Sequence, residues 1–332
     1  MHTIFMDLLE CPRCHGALTW DIMEQRGGQI EEAETSCKAC GATYPVHQGI
    51  ALFLLADLPR NDFWEQSESG ISSYLREHAD VEQQLMEGPV DLLTPADQFL
   101  RGMVLDDRGA YNEARRLTNL ALPHLYTPAY QSCLQSEIQQ LASMLFPTSW
   151  PLVDLASGRG TLIETLLQRV DQPIIISDFS PTILHRLRRQ QESFGLADRM
   201  TLLAFDARRT PFKQGAVQTM TTLLGLSNIE QPGQLLHELR RILSGPLLAI
   251  VHFFPEDDEA NVAAIRANMD SPFLFRRSAL EQFTNAGWQV ELVNVQTGQA
   301  HPTPPSVVFP GLQLDGLPVA ETTLEWGLLV AR

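Results

Sequence analysis

The sequence predicts an α/β fold built on a Rossmann-like, mostly parallel sheet. Two C-x-x-C pairs near the N-terminus indicate a small metal-binding module ahead of that sheet. Helical periodicity broken by prolines fills the next segment, residues 61–150. From residue 152 onward, short apolar runs alternate with helical patterns. This alternation is typical of the strands and crossover helices of a parallel sheet.

The first module, residues 1–60, is predicted to be a zinc ribbon. Its ligands would be Cys11, Cys14, Cys37 and Cys40, and 22 residues separate the two pairs. Four thiolates form a closed tetrahedral site, so the zinc would be structural and would leave no position for a substrate. Two disulfides are the alternative. The N-terminus lacks the basic segment of a secretory signal, which favours zinc and a cytoplasmic location.

The middle segment, residues 61–150, is predicted to be a helical cap or linker. Its candidate helices are residues 71–87, 95–104, 111–121 and 130–146. Pro147 and Pro151 mark its boundary with the last predicted domain, residues 151–332.

A glycine turn follows the first apolar run of the last domain. Residues 152–155 are predicted to form a buried strand, and a helix is predicted over residues 161–170. Gly158 and Gly160, which lie between them, let the backbone turn tightly and approach a ligand. The N-terminus of such a helix would offer free N–H groups and a positive dipole end to an anion.

Two later strands are predicted to end in carboxylates, at Asp178 and Asp206. An acid at the end of the second strand suits a pair of ribose hydroxyls. An acid after the third strand can accept a hydrogen bond from an adenine amino group. Together with the glycine turn, these signals indicate an adenosine-containing ligand. A nicotinamide cofactor fits less well, because its fingerprint requires a small residue where Thr161 stands.

In the order of these motifs, residues 152–332 resemble the class I S-adenosylmethionine-dependent methyltransferases. Residues 154–160 are similar to the family's motif I, with Ala156 in place of its first glycine. The segments that resemble later motifs begin at Ser177, Phe205, Leu223, Leu239, Gly287 and Trp326. The resemblance implies a seven-stranded sheet with an antiparallel last strand, and S-adenosylmethionine as the cofactor. Residues 1–60 resemble the zinc-ribbon family of methyltransferase-activating subunits.

The resemblance to methyltransferases assigns the cofactor contacts to residues at the ends of the first four strands. They are Asp154, Ala156, Ser157, Gly158, Gly160, Asp178, Phe179, Ser180, Asp206, Ala207 and Leu224. The resemblance also implies that the helical cap covers the cofactor and shapes the acceptor pocket. Tyr111, Tyr126 and Tyr130 are the candidates for substrate contact, and the alternative is that they only pack the cap against the sheet.

His252 follows the predicted fifth strand, residues 247–251. Ligands bind at the carboxyl ends of strands in such sheets. His252 is therefore a candidate general base or substrate contact, and the alternative is a polar residue that only fills space. Methyl transfer needs a base only when the nucleophile starts protonated.

The charge of the chain bears on the class of acceptor. The net charge is −16, with the two lysines Lys38 and Lys213, and residues 61–150 carry half of that charge. Nucleic-acid binding depends on Lys and Arg contacts to phosphates, so we expect a small, uncharged or cationic methyl acceptor. The alternatives are an rRNA or tRNA base methyltransferase, and a non-catalytic S-adenosylmethionine-binding partner of another methyltransferase. The oligomeric state is left open.

Two further features of the sequence concern membrane spans and a proline-rich segment. No run of 18 apolar residues occurs, so no membrane span is predicted. Residues 301–311 are too rich in proline for a central strand. They are interpreted as a flap over the pocket, an oligomer contact or a surface loop.

Overall fold

The computed structural model describes residues 1–58, 71, 73–268 and 271–332. Its strands are β1 (Leu18–Arg26), β2 (Gln29–Cys37), β3 (Thr43–His47), β4 (Ile50–Phe53), β5 (Leu152–Asp154), β6 (Ile174–Asp178), β7 (Met200–Phe205), β8 (Thr219–Leu223), β9 (Leu247–Phe253), β10 (Val290–Ala300) and β11 (Thr322–Ala331). Its helices are α1 (Ala79–Glu87), α2 (Pro95–Asp107), α3 (Tyr111–Leu125), α4 (Pro128–Ser143), α5 (Ile163–Leu167), α6 (Pro181–Ser193), α7 (Pro232–Ile242), α8 (Glu259–Asn268) and α9 (Arg276–Asn285). Short 3-10 turns cover Thr3–Leu8, Val90–Leu92, Pro147–Ser149, Ala197–Arg199, Leu226–Asn228 and Pro272–Leu274.

Within the described residues, all eleven strands belong to one sheet, in the order β1-β2-β3-β4-β7-β6-β5-β8-β9-β11-β10. The strands from β7 to β9 are parallel. The last strand, β11, runs antiparallel to both β9 and β10, between which it lies. The strands β5 to β11 confirm the predicted Rossmann-like sheet with its antiparallel last strand. Every residue of β6 and β7 is buried, which explains their nearly continuous apolar sequence.

The cysteine module extends this sheet at the edge formed by β7. Strand β4 pairs in parallel with β7, from Ile50 opposite Leu202 to Phe53 opposite Phe205. Both faces of β4 are buried, because Phe53 packs into the core on one side of the sheet and Ile50 into the core on the other. The sequence predicted a zinc ribbon ahead of a separate seven-stranded sheet. The structure instead joins the two, since the apolar strand β4 supplies the neighbour that β7 would otherwise lack.

Helices α1 to α4 form the cap, and α4 packs against β9, β10 and β11. The predicted helix at 71–87 is interrupted at His78, and its residue 72 lies outside the described residues. The predicted domain boundary at residue 60 also lies outside the described residues. Helix α4 starts earlier than predicted, because the Thr127 side chain accepts a hydrogen bond from the Tyr130 N–H and Pro128 occupies the first turn. Among the described residues, no helix combines the length and apolar content needed to cross a bilayer.

The proline-rich insertion between β10 and β11 is docked on the cap. The backbone N–H groups of Val307 and Val308 donate to the buried carboxylate of Asp97 on α2, at 3.1 and 3.2 Å. Val308 and Phe309 are buried in the apolar core of the cap. These contacts correct the interpretation of the insertion as a surface loop and make it part of the cap.

Candidate active site and metal centre

The four cysteines of the first module lie together as predicted. Their sulfur atoms all lie within 4.8 Å of one another. The Sγ atoms of Cys11 and Cys40 are 3.7 Å apart, and those of Cys14 and Cys37 are 3.5 Å apart. A tetrahedral zinc with bonds of about 2.3 Å would separate its sulfurs by about 3.8 Å. The cluster therefore has the donor set and spacing of a structural zinc site.

Two details of the cluster also fit a metal. A Cβ at Gly16 would lie 2.9 Å from the Cys37 Sγ and 3.3 Å from the Cys14 Sγ, so a side chain there would displace the ligands. Burial raises the pKa of Cys37, but hydrogen bonds from the N–H groups of Cys40 and Ala39 outweigh it and lower the pKa to about 6. The thiolate is the form that binds a metal.

At the carboxyl edge of the sheet, the glycine turn after β5 contains the predicted cofactor residues. Gly158 and Gly160 take positive φ angles of 51° and 78°. The following helix, α5, covers only Ile163–Leu167, so the prediction of a helix over 161–170 was too long. The left-handed conformation at Gly160 delays the start of the helix, and the anion-binding role expected of its N-terminus stays a prediction.

Ala156 and Leu224, which both lie at this edge, have an uncommon backbone conformation. Both are non-glycine residues with positive φ, at 50° and 54°. A Cβ at the neighbouring Gly225 would lie 2.8 Å from the Cβ of Ala156 and 2.4 Å from the Oγ1 of Thr222. The methyl group of Ala156, where the family has a glycine, is therefore accommodated because residue 225 has no side chain.

This arrangement predicts coupling between residues 156 and 225. We expect Gly225→Ala to destabilise the protein by about 2 kcal/mol, because it overpacks the site. Ala156→Gly should recover part of that loss in the double variant, and Thr222 should prevent full recovery. Urea denaturation measures both effects. Gly233→Ala is the matched control, since a Cβ there meets no atom within 4 Å. A Gly225→Ala variant as stable as wild type would contradict the packing described here.

Asp178 links the glycine turn to the end of β6. The N–H of Gly158 donates to its Oδ2 at 2.9 Å, and the N–H of Ser180 donates to its Oδ1 at 3.0 Å. A carboxylate has about four acceptor positions and can serve several donors at once. The Oγ of Ser180 beside it is buried, with no hydrogen-bond partner among the described residues. These groups form a polar cradle at the edge of the sheet.

The remaining predicted cofactor residues fall into two groups. Phe179 directly follows β6, and Leu224 directly follows β8. Ala207 lies two residues after the end of β7, behind Asp206. All three therefore lie at the same edge of the sheet. Asp154 lies beneath the turn, where its Oδ1 accepts from the Oγ1 of Thr221 at 2.7 Å. Burial raises the pKa of Asp154 to about 6. This residue supports the turn from below, and Ser157 bonds to its backbone oxygen at 3.0 Å.

Asp206 has a partner that the sequence did not predict. The guanidinium of Arg208 donates from Nε to Oδ1 at 2.9 Å and from Nη2 to Oδ2 at 2.6 Å, and both residues are buried. The expected contact of Asp206 with an adenine amino group stays a prediction. In that case the carboxylate would have to serve the adenine and the guanidinium together.

The zinc module supports the loop that follows Asp206. The N–H of Glu10 donates to the carbonyl oxygen of Pro211 at 2.7 Å, and the N–H of Lys213 donates to that of Leu8 at 2.9 Å. Leu8, Leu9 and Glu10 directly precede Cys11, the first residue of the cysteine cluster. The cysteine cluster is therefore close in the chain to residues that bond to the loop after Asp206.

Aromatic side chains pack against one another beside the end of β9. This aromatic cluster comprises Tyr126, Tyr130, His252, Phe254 and Trp326. The rings of Tyr126 and Tyr130 stack at 4.8 Å, and Trp326 meets Tyr130 edge-to-face at 4.9 Å and His252 at 5.0 Å. Burial lowers the pKa of His252 to about 4, and its Nδ1 has no partner among the described residues. A base with so low a pKa is poorly matched to neutral pH, which favours the contact role over the general base.

Tyr111 does not join this cluster. It opens helix α3, whereas Tyr126 lies just beyond its other end. Fifteen residues of helix place them about 22 Å apart. The helix therefore separates Tyr111 from the aromatic cluster, and contact of Tyr111 with the substrate stays a prediction.

Asp315 is a residue of the site that the sequence reasoning missed. Its Oδ2 accepts a hydrogen bond from the Oη of Tyr126 at 2.7 Å. Burial raises the pKa of Asp315, and the bond from Tyr126 lowers it in part. The signal in the sequence is a lone acid in an apolar, proline-rich insertion.

Family comparisons agree with the two modules. Residues 152–245 match the family described as methyltransferase domain, and residues 2–49 match the family described as Trm112p-like protein. The chain thus carries a methyltransferase domain and an N-terminal Trm112p-like domain, which confirms both resemblances.

Curated relatives match part of the chain. The demethylmenaquinone methyltransferase of Thermus thermophilus is 35% identical over 106 residues, which are 31% of this chain and 47% of the relative. That of Protochlamydia amoebophila is 31% identical over 99 residues, covering 29% and 41%. The ubiquinone/menaquinone biosynthesis C-methyltransferase UbiE of Roseobacter denitrificans is 27% identical over 104 residues, covering 31% and 42%. The chain spans less than half the length of these relatives.

Solved structures show more distant similarity. The YcgJ protein of Bacillus subtilis is 15% identical with a TM-score of 0.47, covering 60% of this chain and 97% of its own. The geranyl diphosphate C-methyltransferase of Streptomyces coelicolor is 16% identical with a TM-score of 0.45, covering 60% and 75%.

Proposed function

We propose that this protein is an S-adenosylmethionine-dependent methyltransferase that acts on a small, uncharged acceptor with an aromatic ring. The observation that carries the proposal is the polar cradle of Gly158, Asp178 and Ser180, at the same edge of the sheet as the aromatic cluster. Both features lie at the carboxyl edge of a sheet whose sequence matches a methyltransferase domain.

The cradle suits the cofactor. Asp178 would hold the ribose hydroxyls, and the buried, unpartnered Oγ of Ser180 offers a further polar contact. Phe179 and Ala207 would flank the adenine, next to Asp206. The bound cofactor supplies a methyl group on a positively charged sulfur, which is already a good leaving group. The chain then has to align the acceptor and exclude water from it.

The aromatic cluster suits the acceptor. Stacked and edge-to-face rings provide a flat, apolar surface, to which an aromatic ring binds well. The named activities of the relatives from Thermus thermophilus and Protochlamydia amoebophila, demethylmenaquinone methylation, concern an acceptor of this kind. A reduced quinone is therefore the first acceptor to test.

Methylation of RNA bases is the alternative that the charges disfavour. The net charge is −16. Many arginines are already paired with carboxylates, namely Arg108, Arg115, Arg116, Arg186, Arg188, Arg208, Arg241 and Arg276. Arginines neutralised in this way offer little attraction to phosphates.

A non-catalytic partner of another methyltransferase is the second alternative. Pairing of another protein with strand β4 is one way in which the N-terminal module could fill such a role. Here β4 is already paired with β7 of the same chain. The intact cradle and this internal pairing favour catalysis.

Label transfer tests the proposal. The full-length protein is incubated with methyl-labelled S-adenosylmethionine and either reduced demethylmenaquinone or total RNA. We expect label in the organic-extractable quinone and none in RNA at about physiological salt. The Asp178→Ala variant serves as the control for contaminating activity. Label incorporated at one RNA base would contradict the proposal.

A further inference from the structure

The insertion between β10 and β11 holds Asp315 in a fixed place. The N–H of Asp315 donates to the Oγ1 of Thr303 at 3.3 Å. On one side, Leu314 packs against the cap residues Ala96 and Leu125. On the other, Leu317 packs against the core on the cap side of the sheet. Contacts with the cap and with the core of the sheet therefore fix the position of the carboxylate.

Asp315 lies beside the aromatic cluster. Its partner Tyr126 stacks on Tyr130, and Tyr130 contacts Trp326 and His252. Burial raises the pKa of Tyr130, and the nearby charge of Asp315 raises it further. Arg159, in the glycine turn, is close enough to Tyr126 to oppose the rise of its pKa. The carboxylate is thus held next to the aromatic cluster by its bond with Tyr126.

One oxygen of Asp315 is available to a ligand. Tyr126 donates to Oδ2, and among the described residues no hydrogen-bond donor reaches Oδ1. The other acids near the site are committed elsewhere. Asp178 and Asp206 are assigned to the cofactor, and Asp154 is buried beneath the turn. The ring of His252 packs edge-to-face on Trp326 within the aromatic cluster.

We propose that Asp315 accepts the proton of a phenol-type hydroxyl on the acceptor, an inference that rests on the proposed methyltransferase function. The hydroxyl proton moves to Oδ1, and the electron pair left on the oxygen is shared with the ring. The oxygen or the adjacent ring carbon then bonds to the methyl carbon while the carbon–sulfur bond breaks and its electron pair returns to sulfur. After attack by carbon, the ring C–H proton leaves to solvent and Asp315 returns its proton to the oxygen.

The fall of activity on the acidic side of the pH profile, called the acidic limb below, measures this proton transfer. Asp315 acts only when ionised, so activity falls as the pH drops below its pKa. Burial raises that pKa, and the bond from Tyr126 lowers it. The titratable groups that face Asp315 are Tyr126 and Tyr130. Removing the Tyr126 hydroxyl should therefore move the acidic limb to higher pH.

The decisive comparison is Asp315→Asn with Tyr126→Phe, assayed with reduced demethylmenaquinone. Asparagine can still accept from Tyr126 but cannot take a proton, so we expect kcat to fall by about 100-fold or more. KM and the affinity for S-adenosylmethionine should stay within about threefold. Tyr126→Phe should retain kcat within about tenfold, with the acidic limb shifted upward. An Asp315→Asn variant with the kcat and pH profile of wild type would overturn the assignment of Asp315 alone.

A binding measurement covers the case in which this quinone is not turned over. The probes are 1-naphthol and 1-methoxynaphthalene, titrated into the complex with S-adenosylhomocysteine. Wild type should bind the naphthol at least about tenfold more tightly, and Asp315→Ala should lose that preference while binding the ether as before. A preference that survives in Asp315→Ala would overturn the assignment. Wild-type protein that binds no S-adenosylmethionine would overturn the proposed function and this inference together.

Discussion

Replacing Asp178 by alanine is expected to weaken S-adenosylmethionine binding by about two orders of magnitude. The carboxylate would lose the ribose hydroxyls. It would also lose its own bonds from Gly158 and Ser180, which fix the turn against the end of β6. Isothermal calorimetry on the purified variant measures the change directly.

Asp171→Ala provides the matched control for this experiment. Asp171 is exposed and lies just before β6, so its removal changes the same charge outside the site. We expect its affinity for the cofactor to equal that of wild type. Equal affinities for all three proteins would show that Asp178 does not hold the ribose.

The second large effect is expected at the zinc centre. Cys37→Ser should abolish stoichiometric zinc and lower the free energy of unfolding by several kcal/mol, because metal binding supplies folding energy to so small a module. The loss should reach the main sheet, since β4 is paired along its whole length with β7. Elemental analysis and urea denaturation measure the two effects.

Cys133→Ser is the control for the loss of a thiol. Cys133 is buried on α4, outside the cluster of four sulfurs. This variant should keep one zinc per chain, whatever its own modest cost in packing. Wild-type protein without zinc, or Cys37→Ser protein with a full complement, would contradict the metal assignment.

The main sheet could be predicted because its signals are local. Each parallel strand is a short apolar run, and the acids Asp178 and Asp206 mark where two of them end. The pairing of β4 with β7 could not be predicted in the same way. The apolar run of Ile50–Phe53 indicates a buried strand, but its partner β7 begins about 150 residues later in the chain, and nothing local specifies that partner.

The site was predictable to a similar degree. The sequence identified the glycine turn, Asp178 and Tyr130 from motifs and position. It missed the pair of Tyr126 and Asp315, which are 189 residues apart and meet only because the insertion docks on the cap. It grouped Tyr111 with the other tyrosines because all three are close in sequence. Helix α3 nevertheless separates Tyr111 from Tyr126 in space.

The protein's proposed identity as a methyltransferase rests on where the cofactor binds. A crystal structure of the complex with S-adenosylhomocysteine tests this most directly. We expect the ribose hydroxyls within about 3 Å of the Asp178 carboxylate, and the sulfur directed towards the aromatic cluster. Density for the ligand elsewhere would contradict the account, for example in the cleft of about 430 Å³ between the zinc module and α6, which Arg26, Glu31 and Arg188 line.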